Sequence, residues 1–177
     1  MKKFTITQFK KQLAQKTKEE LIQEIATLCQ TFPQVKEYYK ARGSDIQEIV
    51  TKYKGIIEKE FIEGKARGFP KARFSVARKA LTDFKKLTTD PALIAEMMFT
   101  YVESISWFNS EFAPDVEGFY TKPEEMFEQA LAMIKKHHLE DKFEGRAYTI
   151  VENACEGWGH RDSLKERYEA VYGEFIE

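Results

Sequence analysis

Residues 89–112 read TDPALIAEMMFTYVESISWFNSEF, and this stretch decides the fold. Asp90 is placed to cap a helix, and Pro91 suits its first position because the N–H there has no helical partner. Apolar residues follow at helical spacing in one stripe, and further large apolar side chains fall outside that stripe. The stretch therefore predicts a long helix from Ala92 to about Phe112, the most buried helix of the chain. The stripe consists of Leu93, Met97, Met98, Tyr101, Ile105 and Phe108, with Phe99, Val102 and Trp107 outside it.

Outward from this stretch, the chain divides into about eight helices, because proline and glycine fall mostly between the periodic segments. Capping boxes open two of these helices, at Thr17–Glu20 and Ser44–Gln47, and Thr121–Glu124 is interpreted as the cap of a third. No segment alternates in the manner of a strand. The sequence therefore predicts an all-α fold that is more than half helix and has no sheet.

A faint internal repeat links two of the helical segments. Residues 80–86, ALTDFKK, match residues 130–136, ALAMIKK, at a separation of 50 residues. Because repeats of this length are typical of two-helix solenoids, we expect stacked helical hairpins. A short α-solenoid of the HEAT or armadillo kind is one form of that arrangement. The alternative is that two amphipathic hairpins align this well by chance.

Length and composition narrow the class of protein. The 177 residues suit one domain over 1–177. Within it, a helical sub-unit over 1–64 and a helical-hairpin array over 74–177 are joined by a basic loop over 65–73. The 28 basic and 29 acidic side chains give a net charge of -1, which by itself predicts no polyanionic partner. The oligomeric state stays open.

The cysteines and the first residues indicate a compartment. Cys29 and Cys155 each lie in a helical apolar pattern, so we expect buried free thiols rather than a disulfide. Polar residues interrupt the run that follows Met1, and no later run is long and apolar enough to span a membrane. We therefore expect a cytoplasmic protein without a membrane partner.

The search for metal, cofactor and catalytic motifs yields no assignment. His137, His138 and His160 do not occur with Glu or Cys at the spacings that build metal sites. Gly157 and Gly159 follow a helix rather than precede one, so they form no phosphate-binding loop. We therefore predict no metal site, no cofactor and no assignable catalytic residue.

His160, Asp162 and Ser163 offer the residue types of a catalytic triad within four consecutive residues. Such groups usually meet across a fold rather than within one turn, so we favour a local role. In that interpretation Trp158 fills the core and Asp162, with Ser163, caps the last helix.

Charge is distributed unevenly along the chain. Between Lys65 and Lys86 eight basic residues oppose Asp83 alone, whereas between Asp90 and Ile134 nine acidic residues oppose Lys122 alone. Cations interleaved with aromatic residues suit single-stranded nucleic acid or an acidic protein surface. The alternative is that these cations pair with carboxylates of the same molecule or are solvated. The candidate anion-binding or nucleic-acid-binding residues are Lys71, Arg73, Arg78, Lys79, Lys85 and Lys86.

Three segments, Ala77–Lys86, Phe119–Tyr120 and Gly157–Leu164, together resemble an uncharacterised family of small bacterial proteins, catalogued as a domain of unknown function. The last segment carries the signature GWGxxDxL, in which His160 stands where an aromatic residue is expected. The resemblance covers most of the chain, and it implies no activity and no catalytic residue. The run from Phe4 to Leu28 is also similar to small two-helix nucleic-acid-binding modules, although their usual glycine between the helices is missing.

These observations leave three hypotheses for function. The leading one is a non-enzymatic binding or adaptor protein with a protein partner, because stacked hairpins offer an extended surface. The second is nucleic-acid binding through the basic face of residues 65–86. The third is an enzyme or small-molecule pocket whose groups converge only in three dimensions. For that pocket the candidate residues are Tyr101, Trp107, Trp158 and His160.

Overall fold

The computed structural model describes residues 4–43, 46–63, 65–66 and 68–176, and it is 79% helical. A π-helical turn, Lys59–Glu63, extends the fourth helix, and the described strands are β1 (Lys65–Ala66) and β2 (Phe69–Pro70), one antiparallel pair. The predicted all-α fold is therefore confirmed, with this two-residue ladder as its small departure. The α-helices of the described residues are α1 (Ile6–Leu13), α2 (Lys18–Thr31), α3 (Pro33–Lys40), α4 (Ile46–Glu58), α5 (Phe74–Leu87), α6 (Pro91–Phe112), α7 (Gly118–Lys136), α8 (Glu140–Glu152) and α9 (His160–Tyr172).

The helix predicted from residues 89–112 is α6, and it lies at the centre of the fold. The Asp90 side chain accepts a hydrogen bond from the Ala92 N–H at 2.9 Å, and Pro91 occupies the first helical turn, as the sequence predicts. Of the 22 residues of α6, 13 are buried, more than in any other described helix. This helix packs along α7 and against α4, α5 and α8. The core therefore surrounds α6 on several sides, and any site near its middle is held by more than one element.

Two further capping predictions have different outcomes. The capping box at Thr17 is confirmed, since the Glu20 N–H donates to Thr17 Oγ1 and the Thr17 N–H donates to Glu20 Oε2. The box at Ser44–Gln47 begins with Ser44 and Asp45, which lie outside the described residues. The repeat that links residues 80–86 to residues 130–136 stays a prediction.

The interpretation of Thr121–Glu124 as a helix cap was wrong. Helix α7 begins at Gly118, and Pro123 lies inside it. Proline is tolerated there because the carbonyl that it leaves without a backbone partner, that of Phe119, accepts a hydrogen bond from Asn109 Nδ2 on α6 at 2.7 Å. Glu124 is thereby placed in the second turn of a helix, where its side chain points at α9 instead of capping α7.

The cysteine prediction was partly wrong. Cys29 and Cys155 are both free, as expected, but both are only half-buried. Cys29 lies on α2, which buries no residue, and Cys155 lies in the turn between α8 and α9.

No helix within the described residues is long and apolar enough to span a bilayer.

Candidate functional site

The basic segment contains a close ion pair between Arg73 and Glu60. Glu60 lies on the π-helical turn and is only 5% exposed. The Arg73 guanidinium meets it as a fork, with Nε 2.8 Å from Oε2 and Nη2 2.6 Å from Oε1. The hydrogen bonds from Arg73 hold the pKa of the Glu60 carboxyl below its ordinary value, although burial opposes this shift. Arg73 therefore neutralises a buried charge of its own molecule.

Three cations of α5 also meet carboxylates of the same chain. Lys79 Nζ and Lys86 Nζ each lie 2.7 Å from Asp83, and their hydrogen bonds lower the pKa of that carboxyl. Arg78 Nη2 lies 3.9 Å from Glu125 of α7, within the acidic stretch of the sequence. The two remaining candidates, Lys71 and Lys85, are both exposed, and partial burial lowers the pKa of the Lys85 ammonium. Much of the basic face is thus compensated internally.

A cleft of about 490 Å³ opens between the end of α4 with its π-helical turn, the middle of α6 and the end of α8. One wall carries an ordered charge cluster, in which Arg146 on α8 forks onto Glu103 at 2.7 and 2.6 Å and donates to Thr100 Oγ1 at 3.1 Å. Apolar surface exceeds polar surface in the cleft as a whole, and Ile62, Trp107 and Ile150 contribute to it. The hydroxyl and carboxamide groups of the lining are those of Thr100, Ser104, Ser106, Ser110, Thr149 and Asn153.

Behind this cleft, a hydrogen-bonded chain joins three helices. Ser106 Oγ on α6 lies 3.0 Å from His160 Nε2, at the start of α9. His160 Nδ1 lies 2.8 Å from Glu124 Oε1 on α7, and the second carboxylate oxygen accepts from Ser163 Oγ at 2.8 Å. His160 is fully buried, and Ser106 is 5% exposed at the point where it lines the cleft. Arg167 completes the group by donating to Ser163.

The four residues predicted for a pocket do not converge. Trp107 lines the cleft and His160 lies directly behind it, across Ser106. Tyr101 is buried on another face of α6, near Arg78, where burial raises the pKa of its hydroxyl while Arg78 opposes the shift. Trp158 lies outside the cleft on the turn between α8 and α9.

The prediction that Trp158 fills the core was wrong, because this side chain is 59% exposed. Trp158 has a φ of 58°, a left-handed conformation that non-glycine residues rarely adopt, and Gly157 and Gly159 flank it. Its ring stacks on Tyr120, with centroids 5.8 Å apart. Tyr120 is itself buried, so the tryptophan lies over a core residue rather than in the core.

His160, Asp162 and Ser163 do not form a catalytic triad with one another. Ser163 bonds to Glu124, Asp162 is exposed, and the N-terminus of α9 has Gly159 as its cap residue without a side-chain cap bond, so the predicted capping role was wrong. Sequence reasoning missed Ser106 and Glu124. A serine inside the helix predicted to be the most buried was the available signal, since buried hydroxyls require partners.

A second surface lies on the N-terminal helices. Every residue of α1, α2 and α3 is described, and none is buried. On α2, Ile22, Ile25 and Leu28 are 57%, 38% and 39% exposed and recur every three residues, so they share one side of the helix. We call these three residues the α2 stripe. By contrast α5, which has the same 14-residue length, buries Ala77, Ala80, Leu81, Phe84 and Leu87.

Comparison with known proteins gives one match. A family model described as a family of unknown function, DUF6155, matches residues 4–175. No curated protein and no solved structure matches the chain.

Proposed function

The chain belongs to this family of unknown function, DUF6155, and we propose that it acts as a protein-binding adaptor that docks on its partner through the α2 stripe. The single observation that carries the proposal is an amphipathic helix whose apolar side leaves Ile22, Ile25 and Leu28 each more than a third exposed among the described residues. Clusters of exposed aliphatic side chains mark interaction sites in soluble proteins. An apolar helix side that enters a groove of a partner is a common recognition mode.

The energetics of short helices support this proposal. Helices of 8 and 14 residues, the lengths of α1 and α2, are marginal in water unless packing stabilises them. The capping box at Thr17 contributes to α2, but it does not cover Ile22, Ile25 or Leu28. Burying those three side chains against a partner would supply the missing stabilisation, at roughly 25 cal/mol per Å² of apolar surface.

Charge near the α2 stripe indicates the chemistry of the partner. From Phe4 to Lys18 the sequence has four lysines and no acidic residue. One of them, Lys16, pairs with Glu24 of α2. Lys10 and Lys11 on α1 and Lys18 at the start of α2 then form a cationic segment that precedes the α2 stripe in the sequence, although Glu19 and Glu20 follow on α2 itself. The partner that fits is a protein whose apolar groove has carboxylates at the end that meets this segment. We further propose that this protein is met in the cytoplasm, where free thiols such as Cys29 persist.

Nucleic acid is the less favoured partner for two reasons. Arg73, Arg78, Lys79 and Lys86 each meet a carboxylate of the same chain, so fewer cations remain for phosphates. Aliphatic side chains such as Ile25 also offer neither stacking nor phosphate contacts, which are the main sources of affinity for single strands. The α2 stripe therefore fits a protein surface better than a nucleic acid.

Site-specific photocrosslinking in cells tests this proposal. A photoreactive residue at position 25 is compared with the same residue at position 23, which is exposed and lies about 200° around the helix from Ile25. We expect position 25 alone to give a defined protein adduct. The identified protein, once purified, should bind the wild type and Gln23→Lys equally. Ile25→Lys should weaken binding at least about tenfold, which corresponds to about 1.4 kcal/mol.

Four results would overturn the proposal. Equal adducts from positions 23 and 25, or no adduct at all, would show that the α2 stripe is not a docking surface. Adducts with a second copy of this chain alone would assign the stripe to self-association. Adducts with DNA or RNA would favour the nucleic-acid hypothesis.

A further inference from the structure

Ser106, His160 and Glu124 lie in the order of a nucleophile, a base and an orienting acid. The Glu124 carboxylate can only accept hydrogen bonds, so His160 Nδ1, 2.8 Å from it, carries the hydrogen. In the neutral ring Nε2 then holds a lone pair, and it accepts the Ser106 hydroxyl proton at 3.0 Å. This tautomer follows from the hydrogen-bond network. The two distances are those expected for an activated serine.

We propose that Ser106 is the nucleophile of an acyl-transfer site and that the cleft between α4, α6 and α8 accepts a carboxylic ester. His160 is the general base, and Glu124 is the positioning residue that fixes its ring. The inference is independent of docking through the α2 stripe, since the two sites share no residue.

The position of the three groups suits this reaction. Ser106 lines the cleft, whereas His160 lies behind it and has no exposed surface. Before an ester enters, the hydrogen bond between Nε2 and the hydroxyl therefore lies in a buried, low-dielectric surrounding, which strengthens it. Glu124 is anchored at its other oxygen by Ser163 at 2.8 Å, so its carboxylate is held on both sides. The base and its orienting acid are thus fixed before any ester enters.

The cleft also provides contacts for the two ends of an ester. Trp107 and Ile150 supply an apolar surface for an acyl chain. Ser106 lies inside α6, where its backbone N–H belongs to the helix, so a donor for the carbonyl oxygen must come from a side chain. Asn153, at the end of α8, presents a carboxamide to the same cleft. Within the proposal, this carboxamide is one of the side-chain donors of the lining available to the oxyanion.

The reaction balances with water as the only co-reactant. Ser106 Oγ bonds to the carbonyl carbon while its proton passes to His160 Nε2. The bond from that carbon to the alkoxy oxygen then breaks, and the leaving alcohol takes the proton from Nε2. Water attacks the acyl-serine in the same manner, giving a carboxylic acid and restoring the Ser106 hydroxyl.

Covalent labelling of the full chain tests the inference without knowledge of the natural substrate. An alkyl fluorophosphonate reacts with activated serines by losing fluoride, and intact mass spectrometry reports the addition. We expect one phosphonyl group per chain, mapped to Ser106 by peptide sequencing. Because this result is read on the wild type, it does not depend on how well any variant folds. No addition, or addition at other serines only, would overturn the proposal.

Variants and a chromogenic ester give a second readout. Ser106→Ala should abolish labelling, whereas Ser75→Ala, at an exposed serine of α5 outside the cleft, should keep it. Glu124→Gln should lower hydrolysis of p-nitrophenyl acetate by up to about 10,000-fold, because it removes the carboxylate that holds His160 in the tautomer able to accept the serine proton, and it should change the pH profile of the rate. If Ser106→Ala, folded by circular dichroism, is labelled or hydrolyses the ester as the wild type does, the assignment of Ser106 fails.

Discussion

Asn109 Nδ2 lies 2.7 Å from the carbonyl oxygen of Phe119, and this bond replaces the backbone bond that Pro123 cannot make. In a continuous helix the N–H of residue 123 would donate to the carbonyl of residue 119. Proline has no such N–H. Asn109 is 1% exposed on α6, so one buried side chain satisfies the neighbouring helix and also joins α6 to α7.

This relationship predicts coupling between Asn109 and Pro123. Asn109→Ala leaves the Phe119 carbonyl without a partner, and we expect a loss of about 1 to 3 kcal/mol in the free energy of unfolding. In a Pro123→Ala background, the N–H of residue 123 can take that carbonyl, so the same substitution should cost less. Urea unfolding of the four proteins measures the coupling as a double-mutant cycle. An equal cost in both backgrounds would contradict the proposed role of Asn109.

The helices that the sequence predicted correctly are those with local signals. Asp90 and Pro91 mark the start of α6 within one turn, and Thr17 with Glu20 marks the start of α2. The prediction of a cap at Thr121–Glu124 was wrong because it used only neighbouring residues, whereas the helix continues through Pro123 for a reason that lies elsewhere in the chain. Only the position of Asn109, more than ten residues away along the chain, makes Pro123 acceptable inside α7.

The candidate site was less predictable for the same reason. His160 was selected from the sequence, but its partners Ser106 and Glu124 lie 54 and 36 residues away along the chain. The neighbours in sequence, Asp162 and Ser163, were the wrong acid and the wrong hydroxyl. The spacing of residues within one helical turn does not reveal which helices pack against each other. That packing determines which side chains form hydrogen bonds with a buried histidine.

Substitutions of Trp158 should reflect its exposure and its backbone strain. Because the ring is exposed and stacks on Tyr120 alone among the described aromatic rings, Trp158→Ala should cost no more than about 1.5 kcal/mol, the range of an aromatic pair. A core tryptophan would cost about 3 to 5 kcal/mol. Trp158→Gly should be more stable than Trp158→Ala by about 1 kcal/mol, because glycine adopts a φ of 58° without strain. A higher melting temperature for Trp158→Ala than for Trp158→Gly would contradict this prediction.

The pairing of Glu60 with Arg73 predicts a dependence of stability on pH. In the folded protein the pKa of Glu60 lies below its ordinary value of 4.5. The ion pair therefore stabilises the fold at pH values above 4.5, and this stabilisation is lost as the pH falls through the pKa of the folded state. Glu60→Gln should therefore cost about 1 to 3 kcal/mol at pH 7. That difference from the wild type should shrink below pH 4.5.

Urea unfolding at a series of pH values measures this effect. Glu63→Gln is the matched control, because Glu63 is an exposed glutamate of the same π-helical turn. It should change stability by less than about 0.5 kcal/mol at every pH. A Glu60→Gln difference that is constant from pH 3 to pH 7 would show that the carboxylate charge is not what stabilises the turn.

The internal pairing of the basic segment predicts that this segment does not bind nucleic acid. Since Arg78 meets Glu125 and both Lys79 and Lys86 meet Asp83, we expect no binding of a single-stranded oligonucleotide in fluorescence anisotropy at low salt. The contrary result is easily recognised. Two results together would establish the nucleic-acid hypothesis. The logarithm of the binding constant would fall with the logarithm of the salt concentration at a slope of about -0.7 per neutralised phosphate, and the double substitution Arg78→Ala and Lys85→Ala would reduce that slope by about one to two units.

The last prediction concerns the helices that carry the α2 stripe. Because α1 and α2 bury no residue, a chain that begins at Phe32 should unfold with a midpoint close to that of the full chain. We expect a change below about 1 kcal/mol and an almost unchanged denaturant m-value, since little surface is buried by the removed residues. Hydrogen exchange of the full chain should show α2 opening far more readily than α6. A large loss of stability on truncation would mean that the stripe packs within its own molecule, and the docking surface would then have to lie elsewhere.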